Sequence, residues 1–303
     1  MTAKITVVVP VYNGETTLGD CLSALQSQNL CKSDYQLIIV IDHATMDSSD
    51  EIARRFDAQL IRSARHGAAA ARNAGVAASI TEWVAFTDDD CIPSRGWLSK
   101  LLRVVCQGNG SDVTLGAAGR IFGFQSQSAA ARFVDLTGGL DASNNLLHPK
   151  FPYAPLGNVM YRREALEAVE GFDERYWYAE AIDLHYRLLQ VVGGRFLYEP
   201  QAVVFHRHPA SWKAYWRQQF AYGRGLGQFM LHHKDAVSWT AWRELKSWGR
   251  LAELGIRACA PRSGDQALVR RGMFVKQLGQ RMGFITTYWN AMERKRWNCR
   301  TAG

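Results

Sequence analysis

The chain has no C-x-x-C pair, and its six cysteines (21, 31, 91, 106, 259 and 299) are scattered through 303 residues. That spacing excludes the usual structural zinc motifs and a disulfide framework, and it points to reduced thiols in a cytosol. No apolar run approaches the roughly 18 residues that a membrane-crossing helix needs. The N-terminus enters a strand-like run by Ile5, leaving no room for a signal peptide, so the expected location is cytoplasmic. Low-complexity tracts and internal repeats are absent. No basic glycine-rich loop precedes an acidic cluster, which disfavours a nucleotidyltransferase.

What is present is an ordinary globular composition, 47% hydrophobic and 21% charged, in a chain long for one domain and short for two full ones. Charge is unevenly placed. Residues 1–210 carry 19 Lys/Arg against 23 Asp/Glu, whereas residues 211–303 carry 17 against 5. A basic tail on a slightly acidic body suggests an anionic membrane leaflet or phosphorylated lipid as partner rather than nucleic acid, the alternative being a solvated helical surface.

Apolar runs at Ile5–Val9, Gln36–Ile41, Gln59–Arg62 and Trp83–Phe86 read as strands. They alternate with helical patterns at 15–28, 50–56, 67–78 and 94–106. Such alternation predicts an open, largely parallel α/β sheet, in which ligands bind past the carboxyl ends of the strands. Asn13, Asp42 and Asp88–Asp90 all fall there. Further on, the pattern predicts a strand at 113–121, a polar loop bordering a pocket at 123–152, and short strands at 157–161, 195–198 and 202–206 around Pro200. Beyond Ser211 the text is helical and basic, with breaks expected near Gly223–Gly227 and Pro261–Gly264.

The triple aspartate behind Trp83–Phe86 carries the most information. Carboxylates packed this closely repel one another, so a protein that fixes them at a strand end supplies a counter-charge. A hard divalent cation that leaves positions open for phosphate oxygens is the natural one. A solvated acidic turn is the bland alternative, and the remaining motifs argue against it.

In order, those motifs are PVYN (Pro10–Asn13), Asp42, GAAAARNAG (Gly67–Gly75) and FTDDDCIP (Phe86–Pro93). GNVMYRR (Gly157–Arg163), GFDERYWYAEAIDL (Gly171–Leu184), YEPQAVVFHRH (Tyr198–His208) and QQFAYGRG (Gln218–Gly225) follow. From about residue 4 to 228 the chain resembles the family-2 glycosyltransferases, inverting enzymes of the GT-A fold. The resemblance implies an α/β fold with a Rossmann-like mixed sheet flanked by helices, a catalytic domain over 1–228 and a basic helical extension over 229–303.

It also implies a nucleoside-diphosphate-sugar donor, a hydroxyl acceptor (glycan, lipid-linked or small molecule) and Mn²⁺ or Mg²⁺. Pro10, Tyr12 and Asn13 would border the base, and Asp42 would accept from a ring N–H or ribose hydroxyl unless it only caps a helix. Gly67 would permit close backbone approach. Arg72 would fork onto phosphate or onto the aspartates, or serve as a buried ion-pair partner. Asp88 and Asp90 match the outer members of the family's D-x-D motif, Asp90 on the metal and Asp88 on ribose or a metal-bound water, with Asp89 beside the donor. His206 matches a recurring histidine that completes the metal shell, with His208 as a substitute. Arg224 would contact donor phosphates. Gly157, Asn158 and Trp177 would face the acceptor, Trp177 having ordinary core packing as its alternative.

One departure matters. The family text E-D-x-D-L places the general base at its second residue, yet Glu180-Ala181-Ile182-Asp183-Leu184 has alanine there. Three accounts remain: Glu180 as base, Asp183 as base, or a nucleotide-sugar-binding pseudoenzyme with impaired or absent turnover.

Overall fold

Alternate residues of the first strand are buried on opposite faces, which explains its unbroken apolar text. In β1 (Ile5–Val11), Val7 and Val9 join one core cluster and Val8 the other. Around it the computed structural model, which describes residues 4–107, 113–148, 151–234, 241–261 and 263–301, builds an eight-stranded sheet. Nothing is described of the side chains of residues 241–243 or 292–301.

The elements run α1 (Leu18–Gln26), β2 (Tyr35–Ile41), α2 (Ser49–Ala53), β3 (Gln59–Arg62), α3 (Ala68–Ala77), β4 (Trp83–Phe86), β5 (Cys91–Pro93) and α4 (Trp97–Cys106). Then come β6 (Thr114–Gly123), α5 (Ala129–Leu136), α6 (Ala142–Leu146), β7 (Val159–Arg162), α7 (Arg163–Ala168), α8 (Glu180–Val191) and β8 (Arg195–His206). Three helices finish the chain: α9 (Trp212–His232), α10 (Ala241–Cys259) and α11 (Gly264–Thr301). Strand order is β3-β2-β1-β4-β7-β6-β8-β5. The first four strands are parallel; β7 runs antiparallel to β4 and β6, and β5 antiparallel to β8. The sheet is therefore mixed rather than largely parallel. Leu18, Leu22 and Leu25 of α1 with Trp97, Leu98 and Leu101 of α4 fill one core cluster, and Ala69 and Ala71 of α3 with Leu184 and Leu188 of α8 fill the other.

Several local expectations change. The first strand runs two residues past the apolar run, to Val11, with Pro10 inside it opposite Val40 in a parallel register. Cys91–Pro93, not expected as a strand, forms β5 at the sheet edge, where proline is tolerated. Residues 123–152 are not a plain loop, because they hold α5 and α6, capped by the Ser128 hydroxyl and the Asp141 carboxylate. The two strands expected around Pro200 are one strand, β8, whose register against β6 shifts between Gly119 and Arg120 and so absorbs the proline in a bulge. No break interrupts α9 near Gly223–Gly227.

By compactness the chain divides into residues 1–125 with 140–207, and residues 126–139 with 208–303. The boundary drawn on sequence at 228/229 falls inside the second unit, which takes all of α9. Within that unit α9 and α11 lie side by side. Cβ atoms added at Gly223 and Gly283 would collide with the carbonyl oxygens of Gln280 and Phe220, so backbone meets backbone at G-x-x-x-G spacing on both helices. No described helix is long and apolar enough to cross a membrane.

Candidate functional site

The parallel registers of β1, β2 and β4 bring their carboxyl ends to one edge, and the residues just past those ends face a common cleft of about 430 Å³. Pro10, Tyr12, Asp42, His66, Gly67, Arg72, Asp88, Asp89, Asp90, Trp177, Tyr178 and His206 line it. That volume lies in the range of small-molecule sites.

At one end sits the acidic turn. Arg72, buried on α3, donates from Nη2 to Asp88 Oδ1 at 2.8 Å and from Nη1 to Glu180 Oε1 at 3.1 Å. Burial works against the guanidinium's charge, but the two carboxylates outweigh it and hold Arg72 protonated. Among the described residues no arginine or lysine bridges Asp89 or Asp90. Burial first, then repulsion from neighbouring aspartates, pushes both carboxyls up to about 7. Asp90 Oδ2 lies 3.3 Å from His206 Nε2, because the β5–β8 ladder sets Cys91 opposite His206. Burial lowers the proton affinity of His206, keeping the imidazole neutral and able to ligate.

Asp90, Cys91 and His206 each offer a ligand atom within 4.8 Å of the others. Burial pushes the Cys91 thiol up and leaves it protonated, so the serviceable donors are carboxylate oxygen and imidazole nitrogen. Uncompensated negative charge beside a neutral imidazole fits Mn²⁺ or Mg²⁺. Gly157 backs this turn: a Cβ there would come within 3.3 Å of Asp88 Oδ2 and 3.2 Å of Cys91 Sγ.

At the other end sits Asp42, almost wholly buried. Its Oδ1 accepts from Ala44 N at 2.9 Å, and its Oδ2 from Gly67 N at 2.7 Å and His66 Nδ1 at 2.8 Å. Burial alone would raise its proton affinity, but these N–H donors reverse the effect and keep it ionised. The His66 ring lies beside both Tyr12, tilted at 4.8 Å between centroids, and Trp177, edge-on at 4.9 Å. Trp177 is 59% exposed, which removes core packing as its explanation.

Other expected site residues lie elsewhere. Asp183 is buried and paired with Arg187 Nε at 2.8 Å. Ala181 packs against the core, and neither it, Glu180 nor Asp183 lines the cleft. Asn158, proposed for the acceptor, is fully buried. Its Oδ1 accepts from Trp97 Nε1 at 2.7 Å, and its Nδ2 donates to the carbonyls of Arg120 and Ala202. Asn13 adopts a left-handed backbone and accepts from Met46 N, outside the cleft lining. Arg224 belongs to the second compact unit, as does His208, whose Nε2 is 3.3 Å from Asp135. Val11, His66, Ala68 and Ala71 also line the cleft without having been singled out in the sequence; for His66, its place between a strand end and Gly67 was the available signal.

A family model described as glycosyl transferase family 2 matches residues 6–170. A pre-mycofactocin glycosyltransferase of Mycobacterium tuberculosis is 31% identical over 242 residues, 77% of this chain and 49% of the relative. Glycosyltransferase AglE of Haloferax volcanii is 29% identical over 197 residues, 61% of this chain and 63% of its own. The chain thus spans about half the length of the first relative. Among solved structures, mannosyltransferase PcManGT from Pyrobaculum calidifontis, in complex with GDP-Man and Mn²⁺, superposes with a TM-score of 0.69 at 19% identity, covering 96% of this chain and 88% of that one. TarS 1–349 of S. aureus with UDP-GlcNAc gives 0.54 at 14% identity, covering 96% and 92%. The structural likenesses establish the GT-A fold. The family match over more than half the residues, with a relative 31% identical over 77% of the chain, means that this chain belongs to glycosyl transferase family 2.

Proposed function

We propose that the chain is an inverting glycosyltransferase that moves a sugar from a nucleoside-diphosphate donor to a hydroxyl of a glycan, lipid-linked or small-molecule acceptor. The observation that carries this reading is the single cleft joining the Tyr12/Asp42 end to the Asp88–Asp90/His206 end. The nucleoside occupies the first end and the diphosphate the second. Asp90 and His206 would hold Mn²⁺ or Mg²⁺, whose positive charge would be supplied to the diphosphate leaving group. Asp88 stays on Arg72 and fixes the acidic turn. Trp177 and Tyr178, exposed at the rim, offer flat faces to the sugars.

Proton removal from the acceptor is the weak step. With alanine at 181, Glu180 is the carboxylate on the base segment, and accepting a proton breaks its bridge to Arg72. General-base assistance is worth about 10²–10⁴-fold, so slow turnover follows. The same bridge favours a second reading, a donor-binding protein without turnover.

The test is acceptor-dependent release of nucleoside diphosphate from a panel of nucleotide-sugars with Mn²⁺. Release by the native chain, abolished in Asp90→Ala, upholds the enzyme. Donor binding without release, with turnover appearing in Ala181→Asp, establishes the second reading. The basic second unit is assigned to an anionic membrane surface, at the cytoplasmic face. On α10, Leu245 and Ile256 are 63% and 75% exposed and share a stripe flanked by Lys246, Arg250 and Arg257.

A further inference from the structure

Side chains alternate along a strand, so Phe205 on β8 points to the face of the sheet opposite Val204 and His206. Its register partners are Phe122 on β6 and Ile92 on β5, and the three form one row across three strands, about 10 Å long. The two phenyl rings are stacked with centroids 6.3 Å apart, yet Phe122 is 44% and Phe205 37% exposed. Further back along the strands α6 covers this face, where the Tyr198 hydroxyl donates to Asp141 Oδ1 at 2.8 Å. Apolar surface gathered in a row, rather than scattered singly, marks a face that meets a ligand.

Polar groups border the row. Arg120 Cζ lies 5.6 Å from the centre of the Phe122 ring, and its Nε is 3.3 Å from Asp141 Oδ2. Past the strand ends, Arg207 Cζ lies 4.7 Å over the Phe124 ring and the guanidinium pairs with Asp20. The buried Nε of Arg207 has no hydrogen-bond partner among the described residues. Each arginine is neutralised by a carboxylate, so the border offers donors and acceptors with little net charge. That disfavours an anionic lipid or a polyphosphate as occupant. A pyranose has the matching chemistry: apolar C–H faces for the rings and hydroxyls that both donate and accept. The adjacent row is Gly123, His206 and Cys91, which carries the imidazole of the acidic turn, so a chain lying on the first row passes beside the transfer centre. We infer that the row Phe122–Phe205–Ile92 is a subsite for an uncharged oligosaccharide, which makes the acceptor a glycan chain rather than a small molecule.

This inference rests on the glycosyltransferase reading above, and the experiment tells their failures apart. Binding of cellotetraose, chitotetraose and an α-linked mannotetraose, and of their monosaccharides, to the full chain is followed by calorimetry. UDP and GDP with Mn²⁺ are titrated into the same preparation. At least one tetrasaccharide is expected to bind at least about tenfold more tightly than its monosaccharide. Phe122→Ala and Phe205→Ala should each weaken it about tenfold, the order of one lost ring contact. Ile80→Ala removes a side chain that is 83% exposed in the turn before β4 and should leave the affinity unchanged. An unaltered melting temperature shows that each variant is folded. Failure of every tetrasaccharide to bind overturns the inference, as does an affinity that survives both phenylalanine substitutions. Retention on phosphatidylcholine vesicles that those substitutions abolish overturns it too, because the row is then a lipid face. Nucleotide binding without tetrasaccharide binding leaves the glycosyltransferase reading standing without this subsite. The reverse result leaves a glycan-binding row and removes the donor.

Discussion

At the scale of single residues, Arg72 connects the acidic turn to the helix that follows Ala179. Its two carboxylate partners come from segments 16 and 108 residues away, so one guanidinium ties β4 to α8. Removing one member of a buried ion network costs more than the network is worth, because the remaining charges lose their counter-ion. Arg72→Met is therefore expected to lower unfolding free energy by about 3 kcal/mol in urea titrations. Adding Glu180→Gln to that variant should recover part of the loss, a coupling visible in a double-mutant cycle. An Arg72→Met protein as stable as wild type would mean that Asp88 and Glu180 are solvated independently.

Residue identity at the site was only partly legible in the text. Asp42, Arg72, Asp88–Asp90 and His206 were placed by strand ends and motif order, and they do line the cleft. Asn158 and Asp183 occupy motif positions too, but they turn inward to Trp97 and Arg187. Nothing in a one-dimensional pattern distinguishes a polar residue that touches ligand from one that satisfies buried backbone. His66 was overlooked because a lone histidine in a polar loop carries no periodic signal, and its meaning comes from Asp42, 24 residues earlier.

At the scale of elements, strands buried on both faces were readable as apolar runs, whereas short helices inside the polar stretch 123–152 were not. Ser128 and Asp141 were the caps that would have revealed them. Gly223–Gly227 reads as a break in the sequence, but Gly223 and Gly227 of α9, like Gly279 and Gly283 of α11, are contact points. Gly227 would bring a Cβ within 3.1 Å of Phe284 O, and Gly279 within 3.0 Å of Gln219 Cβ. Gly283→Leu must push α11 off Phe220, and overpacking of this kind costs roughly 1–3 kcal/mol. Loss of the highest-temperature transition in calorimetry, or its shift downward, would register that cost. Gly249→Leu on α10, where an added Cβ meets nothing within 4 Å, should leave the transition in place.

At the scale of the whole molecule, pH and surface charge offer two handles. His185 is fully buried, with Nε2 2.8 Å from the Tyr161 hydroxyl and its ring stacked 4.1 Å from Phe196. Burial pushes its pKa down to about 3, well below the ordinary histidine value of about 6.5. The native state therefore refuses a proton that the unfolded chain accepts. The contribution of His185 to stability is complete above about pH 6.5 and declines toward pH 3, by up to ~1.4 kcal/mol per pH unit. Asp89 and Asp90 act with the opposite sign: their raised pKa near 7 means protonation relieves native-state repulsion as pH falls. The difference in unfolding free energy between wild type and His185→Leu cancels that common background. It should shrink on acidification from pH 6.5 to 5, and a flat difference would refute the buried neutral imidazole.

Charge on the second unit predicts co-sedimentation with vesicles rich in anionic lipid, reversed by raising salt toward 1 M, where the screening length falls to about 3 Å. Leu245→Glu with Ile256→Glu should weaken that binding at least tenfold. Retention on neutral vesicles at high salt would contradict an electrostatic attachment.

The pairing of β5 with β8 carries an implication for the order of events during synthesis. Asp90 and His206 are neighbours only through a ladder that joins residues 91–93 to 204–206. A nascent chain that has emerged as far as β7 already owns its three aspartates but no imidazole beside them. The strand completing the sheet is also the one that brings the imidazole to the acidic turn, so a cation held as proposed would be captured only once the edge has zipped shut, by molecules whose longest-range pairing is in register.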